Sequence, residues 1–216
     1  MSIWGYCQIN GAGRFDKMNE IIKHYDALIK ENNDPVHDPL PLKEYMDKWD
    51  GQKFIDCLQL SSSKDIMEIG IGTGRLAIKV CGNCNTFTGI DISPQTIDRA
   101  IKNLRDFDNI SLICADFIDY SFGKKFDVIY SSLTFIHIQD KKAAIDKVST
   151  LLKTNGRFVL SISKSQDKFL EVNSRKIELF PAMLEEIKGI FNKAELAVDD
   201  LFETELAFVF VAIKNR

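Results

Sequence analysis

The stretch DIMEIGIGTGRLAIKV, residues 65–80, constrains this chain more than any other. An apolar run of strand character reaches an acid, Glu68. Glycines at 70, 72 and 74 follow, and then a helix-like segment. Alternating glycines between strand and helix allow a tight turn and let backbone approach a ligand where a β-carbon would block it. A ligand over such a turn faces the carboxyl ends of the strands and the free N–H groups of the helix. Two readings compete. From Gly72 the stretch is G-T-G-R-L-A, which fits the relaxed dinucleotide fingerprint G-x-G-x-x-G/A. From Glu68 it is E-I-G-I-G-T-G, an acid followed by three alternating glycines.

The flanking sequence predicts the sheet that would carry this turn. Short runs rich in Ile, Val and Phe at 65–69, 86–92, 110–115, 126–131 and 156–163 read as buried parallel strands. Helices are predicted between them at 74–81, 94–107 and 140–152. Ser93 before Pro94 is an N-cap with proline at the first helical position, Asp140 caps the next helix, and Asn155-Gly156 ends it. That β-α-β-α order predicts an α/β fold, a Rossmann-like doubly wound sheet with helices on both faces. A helix at 181–192 then precedes runs at 196–202 and 206–213, separated by about three residues. Parallel neighbours need a crossover of about a dozen residues, so these two form an antiparallel C-terminal hairpin and complete seven strands.

Ahead of the sheet, residues 15–31 place Ile21, Ile22, Tyr25, Leu28 and Ile29 at helical spacing. Three prolines make 32–41 a loop, and 42–60 reads as one or two helices divided at Gly51. The expected partition is an N-terminal helical segment, 1–60, and a sheet domain, 61–216.

Composition excludes several classes. With 216 residues the chain can bury about 70% of its unfolded surface and needs no staple. A net charge of −3 leaves no basic stripe for nucleic acid, and the pairs Lys124-Lys125 and Lys141-Lys142 read as solvated surface. No apolar run is long enough to span a membrane, and residues 1–15 do not read as a secretory signal. The five cysteines (7, 57, 81, 84 and 114) read as reduced thiols of a cytoplasmic protein. Cys81-Gly-Asn-Cys84 follows a helix where a redox pair would precede one, and no further ligands are spaced to complete a metal site.

Asp91 ends the second strand, 17 residues beyond Gly74, where a carboxylate can accept from both hydroxyls of an adenosine ribose. Such an acid repels a 2′-phosphate, which disfavours NADP but leaves NAD open. Asp116-Phe117 ends the third strand, placing an acceptor for an adenine amino group beside a ring that packs on the base. A turn cap is the plainer reading of Asp116.

Together E-x-G-x-G-x-G at 68–74, the acid at 91 after Gly-Ile, A-D-F at 115–117, FDVIYSS at 126–132 and GRFVLSIS at 156–163 resemble the class I S-adenosylmethionine-dependent methyltransferases. The resemblance implies S-adenosylmethionine as cofactor, held by Glu68 and the Gly70, Gly72 and Gly74 backbone at its amino-acid portion. It implies Asp91 at the ribose, Ile92 against the adenine, Asp116 and Phe117 recognising adenine, and Ser131 beside the transferring methyl. That family's last strand is inserted antiparallel, as the terminal hairpin suggests independently. A pyrophosphate would meet Glu68 as a like charge, so the NAD-dependent oxidoreductase is the alternative, with a non-catalytic S-adenosylmethionine-binding protein as a third.

His137, just past the fourth strand, is a candidate general base and equally a packed histidine with one hydrogen bond. His24 and His37 show no evident partner. Tyr25 and Trp49 read either as core or as covers for the cofactor. Neither an N/D-P-P-Y/F segment nor a Pro-Cys nucleophile follows the fourth strand, which favours a small-molecule acceptor over nucleic acid. Residues 164–180 are expected to add a short hairpin at the acceptor site. The sequence assigns neither the acceptor nor an oligomeric state.

Overall fold

Each central strand carries apolar side chains on both faces, so it must be covered on both sides. A computed structural model describes residues 12–215 of the chain; Cys7 and most of the stretch weighed above as a signal lie outside them. Three helices come first: α1 (Ala12–Lys30), α2 (Leu40–Met46) and α3 (Gly51–Cys57). The sheet domain follows as β1 (Ser61–Ile69), α4 (Ala77–Val80), β2 (Cys84–Asp91), α5 (Pro94–Asn103), β3 (Ile110–Cys114), β4 (Phe126–Ser131), α6 (Lys141–Leu151) and β5 (Leu152–Ser163). A small hairpin, β6 (Phe169–Val172) with β7 (Arg175–Glu178), precedes α7 (Leu184–Lys193), β8 (Leu196–Glu203) and β9 (Ala207–Lys214).

Seven strands form one sheet in the order β3-β2-β1-β4-β5-β9-β8, while β6 and β7 pair separately. β1 pairs in parallel with both β2 and β4, and β9 is antiparallel to both neighbours. The chain therefore reverses its direction of winding between β1 and β4, and a crevice opens there at the carboxyl ends of the strands. Alternation sorts the core into two layers. Ile66, Val128 and Tyr130 pack with Phe54 of α3, Ala77 of α4 and Ile97 of α5. Met67, Ile129 and Phe158 pack with Ile145 of α6 and Phe191 of α7 on the other face.

The expected architecture, terminal hairpin and small hairpin are all present. Several boundaries differ. The helix expected over 74–81 is reduced to α4 and a 3₁₀ turn at Cys81–Asn83, because Gly74 holds φ +97° and the chain is still turning there. β5 begins at Leu152, well before Gly156: Leu152 already pairs with Phe126, and an irregularity in the ladder absorbs the Asn155-Gly156 turn expected to end the helix. β1 likewise begins at Ser61. The proline loop ends sooner than expected, since Pro41 lies in the first turn of α2, where its missing N–H costs nothing. Ser93 and Asp140 cap α5 and α6 as expected, each accepting from a backbone amide three residues on. Cys81 and Cys84 are buried, and burial pushes both thiols up, opposite to a redox pair. Among the described residues no helix is long and apolar enough to cross a membrane.

Polar ties dock the N-terminal helices on the sheet domain. Asp26 of α1 accepts from the Ser93 hydroxyl at 2.6 Å, and Asp34 accepts from Arg99 at 3.0 Å and from the Asn103 amide. Asp50, the N-cap of α3, is fully buried and accepts from both terminal nitrogens of Arg75, from the Ser132 hydroxyl at 2.7 Å and from the Gly51 amide at 2.8 Å. The Arg75 side chain is only 13% exposed, so Asp50→Ala strands a mostly buried cation and removes a helix cap. The expected loss is about 3–5 kcal/mol in urea unfolding. A loss under about 1 kcal/mol would show that the docking does not depend on this pair.

Candidate functional site

At the β1–β4 crevice lies a cavity of about 730 Å³. Its floor is the end of β1 with the following turn (Glu68, Gly70, Ile71, Gly72, Thr73), the end of β2 (Asp91, Ile92) and the loop after β4 (Ser132, Leu133, Thr134). Its roof is α1, α2 and the chain after each, through His24, Tyr25, Leu42 and Trp49, and the far wall is the β6–β7 hairpin region up to Ala182. Tyr25 and Trp49 thus face the cavity, and Trp49 is fixed there by the Ser161 hydroxyl, which donates to its carbonyl at 2.6 Å.

The three glycines occupy positive φ for three different reasons. Gly70 (φ +73°) lies against Thr134, whose side chain a β-carbon would overlap. Gly74 (φ +97°) lets Leu104 approach, with a β-carbon only 3.2 Å from its Cδ1. Only Gly72 (φ +58°) has open space where a β-carbon would sit, and it borders the cavity. Gly70 and Gly72 both border the cavity, but only at the middle glycine is the space of a β-carbon open, while the outer two also serve the packing of the turn.

Two acids border the same end of the cavity. Glu68 stands opposite Tyr130 in the β1–β4 register, and the Tyr130 hydroxyl donates to it at 2.8 Å. Burial pushes the Glu68 carboxyl up to about 8, against that hydrogen bond and the field of Arg75. Asp91 accepts from the Gly72 and Ser93 amides, each at 3.0 Å, and burial again raises its pKa. Both acids are hydrogen-bonded only by neutral donors, which leaves each with acceptor capacity toward a ligand.

On the roof, Tyr25 is hydrogen-bonded through its hydroxyl to Nε2 of His137 at 2.7 Å. Burial pushes the His137 imidazole down to about 4, with His24 and Lys141 adding to the shift, so it is neutral near pH 7. Its Nδ1 is buried without a partner. His137 therefore has the single hydrogen bond of a packed histidine and a place on the cavity wall.

Other expected site residues are placed differently. Ser131 is fully buried and donates to the Ile69 carbonyl at 2.8 Å; Ser132, one residue on, borders the cavity instead. Asp116 accepts from the Ile118 amide and Phe117 packs in the core, and neither borders the cavity. Two further expectations are corrected. His37 donates to the Asn103 side chain at 3.1 Å, and His24 lies edge-on to Tyr25 with centroids 5.2 Å apart. Lys141-Lys142 is only half a solvated pair: Lys142 is exposed and paired with Asp146, but Lys141 is 5% exposed and borders the cavity. Arg75 and Asp50 were not expected, although an arginine inside the apolar run after the glycines has to find an acid.

Residues 60–198 match the family model of a methyltransferase domain. Over 162 residues the chain is 29% identical to malonyl-[acyl-carrier protein] O-methyltransferase 1 of Ilyobacter polytropus, an alignment covering 67% of this chain and 60% of that protein. The chain thus spans less than two thirds of that relative. Among solved structures it is similar to the N-methyltransferase NodS of Bradyrhizobium japonicum in complex with S-adenosyl-L-homocysteine, with TM-score 0.70, 16% identity and coverage of 93% of this chain and 100% of that one. It is also similar to the [4+2]-cyclase SpnF, with TM-score 0.69, 12% identity and coverage of 92% and 97%. At these identities both likenesses concern the fold.

The difference between the glycines can be measured. Gly70→Ala meets both backbone strain and Thr134, and is expected to cost about 2–4 kcal/mol in urea unfolding without ligand; Gly72→Ala meets strain alone, about 1–2 kcal/mol. Equal costs would refute the assignment of Gly70 to packing.

Proposed function

Because the chain belongs to the class I S-adenosylmethionine-dependent methyltransferases, with its methyltransferase domain at residues 60–198, we propose that the cavity binds S-adenosylmethionine over the glycine turn and that the chain methylates a small molecule. The observation that carries this reading is the pair of buried acids, Glu68 and Asp91, beside Gly72 and answered only by neutral donors. That donor set fits the cofactor. Glu68 and the Gly72 backbone would hold its ammonium-bearing amino-acid portion. Asp91 has lone pairs left for the ribose hydroxyls, and Ile92 offers an apolar face to the adenine. Asp116 and Phe117 follow β3, whose Cys114 pairs with Asp91, but neither borders the cavity, so the adenine contact is assigned to Ile92. Ser132 and Thr134 take the place expected of Ser131. A dinucleotide would instead set its pyrophosphate against two carboxylates.

When bound, S-adenosylmethionine supplies a methyl group on a sulfonium, open to in-line displacement. The chain's own part is to align the acceptor and keep water out. The α1–α2 roof and the hairpin wall do the second, with the described part of the N-terminal segment, residues 12–60, acting as a cover. For the first, Tyr25 stands between the acids and His137, since burial and the field of Asp91 both raise its pKa and keep the phenol protonated. Neutral His137 has an unpartnered Nδ1 that can hydrogen-bond the acceptor. The small size of the acceptor is supported by the enclosing roof.

In calorimetry, S-adenosylhomocysteine is expected to bind at micromolar levels and NAD⁺ not to bind; the reverse would install the oxidoreductase reading. Asp91→Ala is expected to weaken that binding by about 1–3 kcal/mol, as ribose hydroxyls lose their acceptor. Transfer of a labelled methyl group to any member of an acceptor panel would separate an enzyme from a non-catalytic binder.

Glu68 adds a pH signature. Without ligand it is largely protonated below about 8, whereas an ammonium favours its ionised form, so binding releases a proton. Affinity for S-adenosylhomocysteine should therefore rise from pH 6 toward pH 8, by at most about tenfold per pH unit. Glu68→Gln should bind more weakly and flatten this rise. An unaltered slope in the variant would remove Glu68 from the ammonium site.

A further inference from the structure

A second group of side chains bordering the cavity has the opposite character to Glu68 and Asp91. Lys141, the first residue of α6, is 5% exposed and borders the cavity. Its ammonium donates to the Ile138 carbonyl at 2.8 Å and to the Phe180 carbonyl, which leaves one N–H uncommitted. It forms no ion pair among the described residues; Glu186 acts on it only through its field, and burial brings its pKa down to about 8. His24, from α1, is 2% exposed, and its Nδ1 is buried without a partner, as is Nδ1 of His137. Both histidines border the same cavity. These three groups come from separate parts of the chain and lie close enough for His24 and Lys141 to depress the basicity of His137. Arg175 on β7 acts on His24 in the same sense, although Glu31 pairs with Arg175 and partly offsets it.

Buried polar atoms without partners, gathered around an unpaired buried cation, are costly unless a ligand completes them. An anion would do so: it would take the free N–H of Lys141 and accept from the histidines in their suited tautomers. The remaining acids that border the cavity, Asp38 and Asp167, are partly and fully exposed. The chamber between is apolar, with Ile21, Trp49, Ile136 and Leu170 among its walls.

We propose that the acceptor is a small molecule bearing a carboxylate or phosphate on an apolar body, its anionic group seated against Lys141, His24 and His137. This deepens the methyltransferase reading by naming the acceptor class. The cavity is thus divided, with an acidic end for the cationic cofactor and a basic end for the anionic acceptor.

The test titrates the full chain with octanoate, octyl phosphate, octanol and octylamine, each with and without saturating S-adenosylhomocysteine. At least one anion is expected to bind ten times more tightly than both octanol and octylamine, and the stronger of the two identifies the group. Lys141→Gln, which keeps a donor for the carbonyls but no charge, is expected to reduce that preference at least tenfold with S-adenosylhomocysteine binding unchanged. Lys141→Arg is expected to retain it. The proposal is overturned if the anions show no preference over the neutral and cationic probes, including no binding at all, or if a folded Lys141→Gln keeps the preference. Should Lys141→Gln not fold, the wild-type ranking decides. Failure of S-adenosylhomocysteine to bind wild type would instead refute the cofactor reading, which the ligand-free titrations keep distinct.

Discussion

A single buried carboxylate joins the parts that enclose the site. Asp50 belongs to the N-terminal helices, yet its oxygens are taken by Arg75 of the glycine turn, by Ser132 of the loop after β4 and by the first amide of α3. A fully buried charge is tolerable only when such bonds satisfy it. The roof therefore cannot shift by an ångström or two without giving up several hydrogen bonds at once. Its docking point also adjoins the cavity floor, since Glu68, Gly72 and Thr134 stand beside the residues that Asp50 ties together. Removing the roof would open the crevice to water and leave Arg75, a third charge near Glu68, without its counter-ion.

Much of this fold is legible from pattern alone, and for identifiable reasons. Buried parallel strands need apolar residues on both faces, so β1, β2, β4 and β5 appear as short Ile-, Val- and Phe-rich runs. The few residues between β8 and β9 rule out a parallel crossover and so fix the antiparallel edge. What pattern does not convey is where one element yields to the next. Leu152 fits a helix as well as a strand, and only its pairing with Phe126 across the sheet decides it. The short α4 follows from the conformation of Gly74, which spacing does not reveal.

The site was legible along the strands and much less so across the sequence. Glu68, Gly72, Asp91 and Ile92 border the cavity because a strand–turn–helix unit presents them there, so local reading brings them together. Ser131 fails by one residue, because alternation turns it under the sheet while Ser132 faces the cavity. Lys141 fails for another reason. Beside Lys142 in an amphipathic helix it resembles surface, and one of the carbonyls that takes its ammonium belongs to Phe180, 39 residues away. His24 and Asp50 are silent for the same cause: their partners belong to distant segments brought close only by the fold.

The two ends of the cavity explain each other through Tyr25. Its phenol lies in the field of Asp91, which together with burial keeps it protonated, and it is hydrogen-bonded to His137, which burial and two basic neighbours keep neutral. The pair is thus a neutral partition between an acidic compartment and a basic one. Charge of either sign placed on it would be attracted to one end and repelled from the other. In a low-dielectric cavity that asymmetry would hold a cationic cofactor and the anionic group of the proposed acceptor at different sides of the site. On the proposed reading, Tyr25 and His137 stand between the two ligands, where a neutral hydrogen-bonded pair is compatible with both.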